Sequence, residues 1–324
     1  MRLIVIFPGW GRSGGARVVG EHINRLVERG HEVHMYSQDE CKPDWFDLRC
    51  PLVKRRDLRA RYDVAIVTNP TTVEMGLLPM GARRFYFVQM AEHMFFPVDS
   101  HAYKNALRTY NLAARKGFRF ITIAHWLAEF IRGLEVTTPA IIPNGVNPEH
   151  FYPDGPAPRD YIVVEGDARN EAKDIAHIGW RVALELRNRY GIKLAGMAAV
   201  RHAYAGKLDE FVMDPSLADY RRLYTGAKFL LKASRYEGRS LAPLEAMACG
   251  TPICRAIIHG DDDLRHRSNC LRVGYDYDEL LAAACEMMEN DNLTGMLAHN
   301  AARYAAKSLQ WDPIINKLEQ LLGA

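Results

Sequence analysis

Short apolar runs recur along the chain. Each is followed by a polar or glycine-containing stretch, and then by apolar residues at three- and four-residue spacing. Leu3–Phe7 is apolar at every position, as a parallel strand buried on both faces requires. After the loop from Pro8 to Arg17, the residues Val19, Ile23, Leu26 and Val27 make one helical stripe. Gly30 ends that helix and Glu32–Tyr36 begins a second strand, a βαβ opening. The pattern predicts further strands over 63–68, from Phe85 into a loop reaching Phe95, and over 119–123, with helices over 99–116 and 125–132. Pro143, Asn144-Gly145 and Asn147-Pro148 break regular structure, and the domain boundary is expected after Pro153. The alternation restarts at Tyr161–Gly166. It continues with a helix to about Tyr190, strands over 193–200 and 208–213, a helix over 217–224 and a strand at 229–231. Ser240 is placed to cap the next helix, Pro243 falls in its first turn, and Gly250 and Pro252 close it. A strand over 253–258, an edge strand over 270–274 and helices over 277–290, 292–307 and 313–322 complete an α/β chain.

Composition narrows the picture. At 324 residues, 48% hydrophobic and 25% charged, the chain is globular and long enough for two cores. A net charge of +3 does not describe a nucleic-acid binder. Residues 1–150 hold 20 Lys+Arg against 15 Asp+Glu, and the remainder 22 against 24. Lys54–Arg61 carries five bases in eight residues, which suits either an anionic acceptor or lipid surface, or a solvated linker face. The six cysteines have no CxxC or zinc spacing, so reduced thiols and no metal are expected. Leu3–Phe7 is too short for a signal peptide and no run approaches a membrane span; the expected location is cytoplasmic, peripheral to a membrane at most.

The stretch from Lys228 to Pro252 carries the chemistry. A helix starting just after a glycine-containing loop turns the N–H groups of about Ser240 to Ala242 toward an anion. Glu237 precedes that helix and Glu245 lies within it, eight residues on. Carboxylates beside a phosphate site serve as acceptors for sugar hydroxyls. The alternative is an ordinary strand–helix turn with a solvated loop acid and a first-turn acid favoured by the helix dipole. Near the N-terminus, Gly14 and Gly15 let the backbone approach a ligand at a helix start. No GxGxxG occurs, so a nicotinamide or flavin reading is weak. Gln89, Glu92 and His93 sit at a predicted strand end, where open α/β sheets bind ligands; His93 could equally be a packed histidine.

Glu245-Ala-Met-Ala-Cys-Gly-Thr-Pro252, with Glu237 ahead of it, resembles the donor-site signature of the retaining glycosyltransferases of family 4, the group 1 glycosyl transferases. Ile142-Pro-Asn-Gly-Val-Asn147 resembles the family's hinge, and Gly14-Gly15 with Arg29-Gly-His-Glu-Val33 its opening. The resemblance spans nearly the whole chain. It departs at Arg239 and Ser240, where the family usually has an aromatic and a small residue.

The resemblance implies two Rossmann-like domains facing each other across a cleft (GT-B). Residues 1–153 form the acceptor side, 154–310 the nucleotide-sugar side, and the C-terminal helix, about 311–324, packs back on the first domain. It implies a retaining transferase that uses a UDP-, GDP-, ADP- or dTDP-linked sugar and needs no cofactor or metal. Glu245 would bind the ribose and Glu237 the transferred sugar. Arg169 and Lys173 would hold the diphosphate, with Gly238, Arg239, Ser240, Leu241 and Ala242 around it. Gly14 and Gly15 would lie near the phosphates, and Arg12, Ser13 and Glu92 on the acceptor side. Gln89 or His93 would stand near the sugar. A nucleotide-sugar epimerase of the same fold and a non-catalytic nucleotide-sugar binder are the rival readings.

Overall fold

The computed structural model describes all residues except Gly76, Leu77, Met80, 156–158, 167–170, 175 and 324, and the side chains of Glu171 and Ala172. The chain divides into two compact units, Met1–Asn144 with Asp312–Ala324, and Gly145–Trp311. The split falls at Asn144/Gly145 rather than after Pro153. The reason is packing: Val146 and Phe151 are buried in the core of the second unit, and the Val146 N–H donates to the Leu309 carbonyl at 2.9 Å.

The first unit carries strands β1 (Arg2–Phe7), β2 (Glu32–Ser37), β3 (Val64–Val67), β4 (Arg83–Val88), β5 (Arg119–Thr122) and the short β6 (Ala140–Ile141). They form one sheet in the order β2-β1-β3-β4-β5-β6, every pair parallel. Helix α1 (Gly14–Glu28) follows β1; Ser13 caps it, its Oγ accepting the Ala16 N–H at 3.2 Å. A short helix α2 (Pro70–Glu74), unannounced by any stripe, starts at Asn69, whose side chain accepts the Thr72 N–H. Helices α3 (His101–Arg115) and α4 (His125–Gly133) follow. The basic run at Lys54–Arg61 forms a single 3-10 turn over Arg55–Arg59, anchored by buried Leu58, with the bases exposed.

The second unit carries β7 (Tyr161–Glu165), β8 (Lys193–Ala198), β9 (Glu210–Met213), β10 (Leu230–Tyr236), β11 (Ile253–His259) and β12 (Leu271–Val273). Their order is β12-β11-β10-β7-β8-β9, again all parallel. Side chains alternate between two cores: Val163, Leu230 and Ile253 pack on one face, Val164, Leu231 and Cys254 on the other. The chain adds β8 and β9 to one side of β7 and β10 to β12 to the other, so the strand order switches at the β7–β10 pair, and in such sheets the carboxyl ends flanking the switch form a ligand crevice. Helices α5 (Glu171–Asp174), α6 (Ile178–Tyr190), α7 (Leu217–Gly226), α8 (Leu241–Ala248), α9 (Tyr277–Glu289) and α10 (Asp291–Ser308) surround the sheet.

The last helix, α11 (Trp311–Gly323), joins the first unit. Ile314, Ile315, Leu318 and Leu322 are buried, while Arg29 donates to Asn316 at 2.7 Å and pairs with Asp312 at 3.0 Å, and His31 meets Glu319 at 2.8 Å. Burial anchors this helix; partly exposed pairs of this kind add little.

Candidate functional site

In the second unit, β10 runs out at Tyr236 and α8 begins at Leu241, so Glu237–Ser240 form a tight connection at the carboxyl end of the sheet. The loop after β11 holds that connection from beneath. The Glu237 N–H donates to the His259 carbonyl at 3.0 Å, and Gly260 adopts φ +122°, where an added Cβ would lie 2.3 Å from the Glu237 carbonyl oxygen. Glycine is required there for both reasons.

Glu237 is 7% exposed, and Glu245, on α8, is 3% exposed. Neither is the solvated acid of an ordinary turn. Lys173, from α5, donates to Glu237 Oε2 at 2.9 Å, and the Ser234 hydroxyl donates to Oε1 at 3.1 Å. Lys232 Nζ lies 3.4 Å from the same Oε1 and pairs with Glu165 at the end of β7. Burial by itself would favour the neutral carboxyl. The charges of Lys173, Lys232 and Arg255 outweigh it and hold Glu237 well below the ordinary carboxylate range. Burial likewise works against the charge on Lys173, but Glu237 prevails and raises it. The result is an ionised, desolvated Lys–Glu pair beside the crevice.

The structure alters three local expectations around α8. Ser240 makes no side-chain cap; instead its N–H donates to Asp261 Oδ1 at 2.8 Å. That donor is therefore already taken by a carboxylate. Asp261 also receives Arg255 Nε at 2.8 Å, while Arg255 Nη1 and Nη2 make no hydrogen bond among the described residues. Arg239 is turned inward: its Nε and Nη2 grip Asp263 at 2.6 and 2.9 Å, and Tyr304 donates to the same carboxylate. Arg239 and Ser240 thus tie the connection to the two aspartates of the following loop. Gly238 and Ala242 are buried and Leu241 is half-buried. Arg169 lies outside the described residues.

In the first unit, Gly14 and Gly15 are the first two residues of α1, after exposed Arg12 and Ser13. A Cβ on Gly15 would stand 3.5 Å from the Gln89 amide, so this helix start and the end of β4 meet. Glu92 accepts the Tyr110 hydroxyl at 2.7 Å, and burial pushes its carboxyl up to about 7 despite that hydrogen bond. His93 is packed: it stacks on Phe130 at 4.8 Å and meets Tyr103 edge-on at 5.2 Å, burial lowers its basicity, and its Nδ1 has no hydrogen-bond partner among the described residues.

Sequence reasoning missed Glu165, Lys232, Ser234, Arg255 and Asp261. A signal existed: Lys232 and Arg255 interrupt the apolar runs of β10 and β11, strands buried on both faces. All six cysteines are unpaired. Among the described residues, no helix is long and apolar enough to cross a membrane.

No family model matches the chain, and no curated protein matches it by sequence. Solved structures do match. Sucrose-phosphate synthase from Thermosynechococcus elongatus aligns with a TM-score of 0.80 at 16% identity, covering 99% of this chain and 98% of that one. HepE from Anabaena, determined in complex with UDP and glucose, aligns with a TM-score of 0.81 at 14% identity over 100% of both chains. WaaG, a glycosyltransferase involved in lipopolysaccharide biosynthesis, gives 0.74 at 16% over 99% of each. These neighbours are GT-B glycosyltransferases, and the chain shares their fold: two α/β units, each on a parallel six-stranded sheet.

Proposed function

We propose that the protein is a retaining glycosyltransferase that moves a sugar from a nucleoside-diphosphate sugar to an acceptor hydroxyl. The observation that carries the reading is the ion pair between half-buried Lys173 and buried Glu237 at the carboxyl ends of β7 and β10, just before α8, which carries a second buried acid, Glu245. A cation and a desolvated carboxylate side by side offer what a sugar diphosphate presents: phosphate charge and sugar hydroxyls. The neighbour determined with UDP and glucose, and the same protein determined with UDP-glucose, support the donor class.

In this reading Glu245 takes the ribose, Lys173 and Arg169 take the diphosphate, and Glu237 orients the sugar. Gly238, Leu241 and Ala242 line the donor's path; Arg239 and Ser240 hold the connection in shape through Asp263 and Asp261. The first unit's Arg12, Ser13, Gln89 and Glu92 serve the acceptor, with Gly14 and Gly15 giving close backbone approach and His93 packing behind them. The bond from the anomeric carbon to the diphosphate breaks as the acceptor oxygen attacks from the same face. The departing phosphate oxygen takes the acceptor's proton, so no protein nucleophile and no cofactor is called for. Lys173 stabilises the charge on that oxygen.

An anionic or membrane-held acceptor is supported by α3, which carries Lys104, Arg108 and Arg115 and no acid, and by exposed Phe96 and Val98 just ahead of it. Such an enzyme works in the cytoplasm, at the membrane surface when its acceptor is there. The test is turnover of the sugar nucleotide that the chain accepts, with Lys173→Ala and Glu237→Gln. Losses of about a hundredfold or more are expected, as for other transition-state contacts. Turnover within about threefold of native for either variant contradicts these roles.

A further inference from the structure

We propose that Lys232 is a positioning residue for Glu237, keeping that carboxylate charged and in place when Lys173 leaves it for the diphosphate of an incoming nucleotide sugar. The proposal rests on the donor-site reading above and assigns to it a residue outside the signature motif.

Lys232 is out of place by composition. Leu230 and Leu231, its neighbours on β10, are fully buried, and Lys232 itself is 5% exposed. An interior ammonium is retained only where acids hold it. Parallel register sets Glu165 of β7, Lys232 of β10 and Arg255 of β11 in one row across the sheet, on one face. Lys232 pairs with Glu165 and reaches toward Glu237 Oε1, to which Ser234 also donates. Oε2 is left to Lys173.

The two lysines on Glu237 therefore differ in what they can do. Lys173 belongs to the four-residue α5, and its side chain is 32% exposed. Lys232 is fixed in a central strand. Only Lys173 can turn to an entering phosphate. A buried carboxylate that lost its one cation would take up a proton, because desolvation favours the neutral form. Lys232 removes that need. The other charged groups packed around the pair do not replace it. Asp174 of α5 and Glu165 of β7 are acids. Arg255 of β11 acts on Glu237 from a distance, with its Nε held by Asp261 of the following loop.

The experiment is calorimetric titration with whichever of UDP-, GDP-, ADP- and dTDP-glucose the native chain binds. It is run in buffers of different ionisation enthalpy between pH 6.5 and 8, on the native chain, Lys232→Met, and Lys232→Met/Glu165→Gln. The double variant leaves no unpaired Glu165, so it keeps the question open to test if the single variant fails to fold. Native binding is expected to be proton-neutral and flat with pH. Each folded variant is expected to take up close to one proton per ligand, with affinity falling about tenfold per pH unit, as linkage requires. Variants whose proton uptake matches native, or whose affinity drops equally at every pH, overturn the role of Lys232 and leave the donor-site reading standing. Failure of the native chain to bind any of the four overturns the donor-site reading and this proposal with it.

Discussion

Replacing Glu92 with glutamine should change how the stability of the protein depends on pH. The carboxyl stands behind the end of β4 and accepts the Tyr110 hydroxyl at 2.7 Å, close enough to Tyr86 to disfavour that phenol's ionisation as well. Burial raises it from an ordinary 4.5 to about 7. A carboxyl raised on folding binds more protons in the native than in the unfolded state between those two values. Native stability therefore falls as pH rises through that window and is level beyond it. At about 1.36 kcal/mol per pH unit, the displacement costs the ionised native state on the order of 3 kcal/mol. Glutamine keeps an acceptor for Tyr110 and cannot ionise. Urea unfolding of both chains from pH 4.5 to 8 isolates the effect, since every other titrating group cancels in the difference. Glu92→Gln should gain on native by about 3 kcal/mol across the window, most of it between pH 5 and 7. A difference that stays constant with pH refutes the reasoning.

Two further outcomes are expected. Arg239→Leu strands the Asp263 carboxylate in the interior and should cost roughly 3–5 kcal/mol in thermal unfolding. Arg239→Leu/Asp263→Leu should recover most of that and still bind nucleotide, because Arg239 is spent on Asp263 rather than on a ligand. The chain should sediment with vesicles of anionic lipid, less so as salt is raised, and Phe96→Asp/Arg108→Glu should abolish this. Sedimentation that ignores both salt and the variant removes the case for a membrane-held acceptor.

Much of the fold is legible in the chain because its strands are buried on both faces. Runs such as Leu3–Phe7 and Tyr161–Val164 leave little choice but a parallel sheet, and Gly30 and Gly250 mark helix ends through the left-handed backbone that both adopt. Strand order was not legible. The first sheet switches between β1 and β3 and the second between β7 and β10, a difference set by long-range packing rather than by local pattern. At the site, the spacing of Glu237 and Glu245 could be read, but their burial could not. That depends on partners far along the chain: Lys173 lies 64 residues before Glu237, and Asp263 lies 24 beyond Arg239. Local pattern makes Ser240 a side-chain cap, whereas its N–H is claimed by Asp261, 21 residues on. Lys232 and Arg255 were present as interruptions of apolar strands, a mark of buried charge that local motif reading passes over.

The central claim is that the second unit holds a nucleoside diphosphate with Glu245 on its ribose. Thermal unfolding of the native chain and of Glu245→Ala with UDP, GDP, ADP and dTDP tests it most directly. A ligand at a hundred times its dissociation constant adds about 2.7 kcal/mol to stability. One of the four should raise the native midpoint by several degrees, and Glu245→Ala should lose most of that rise. No rise with any nucleotide, or an equal rise in the variant, would contradict it.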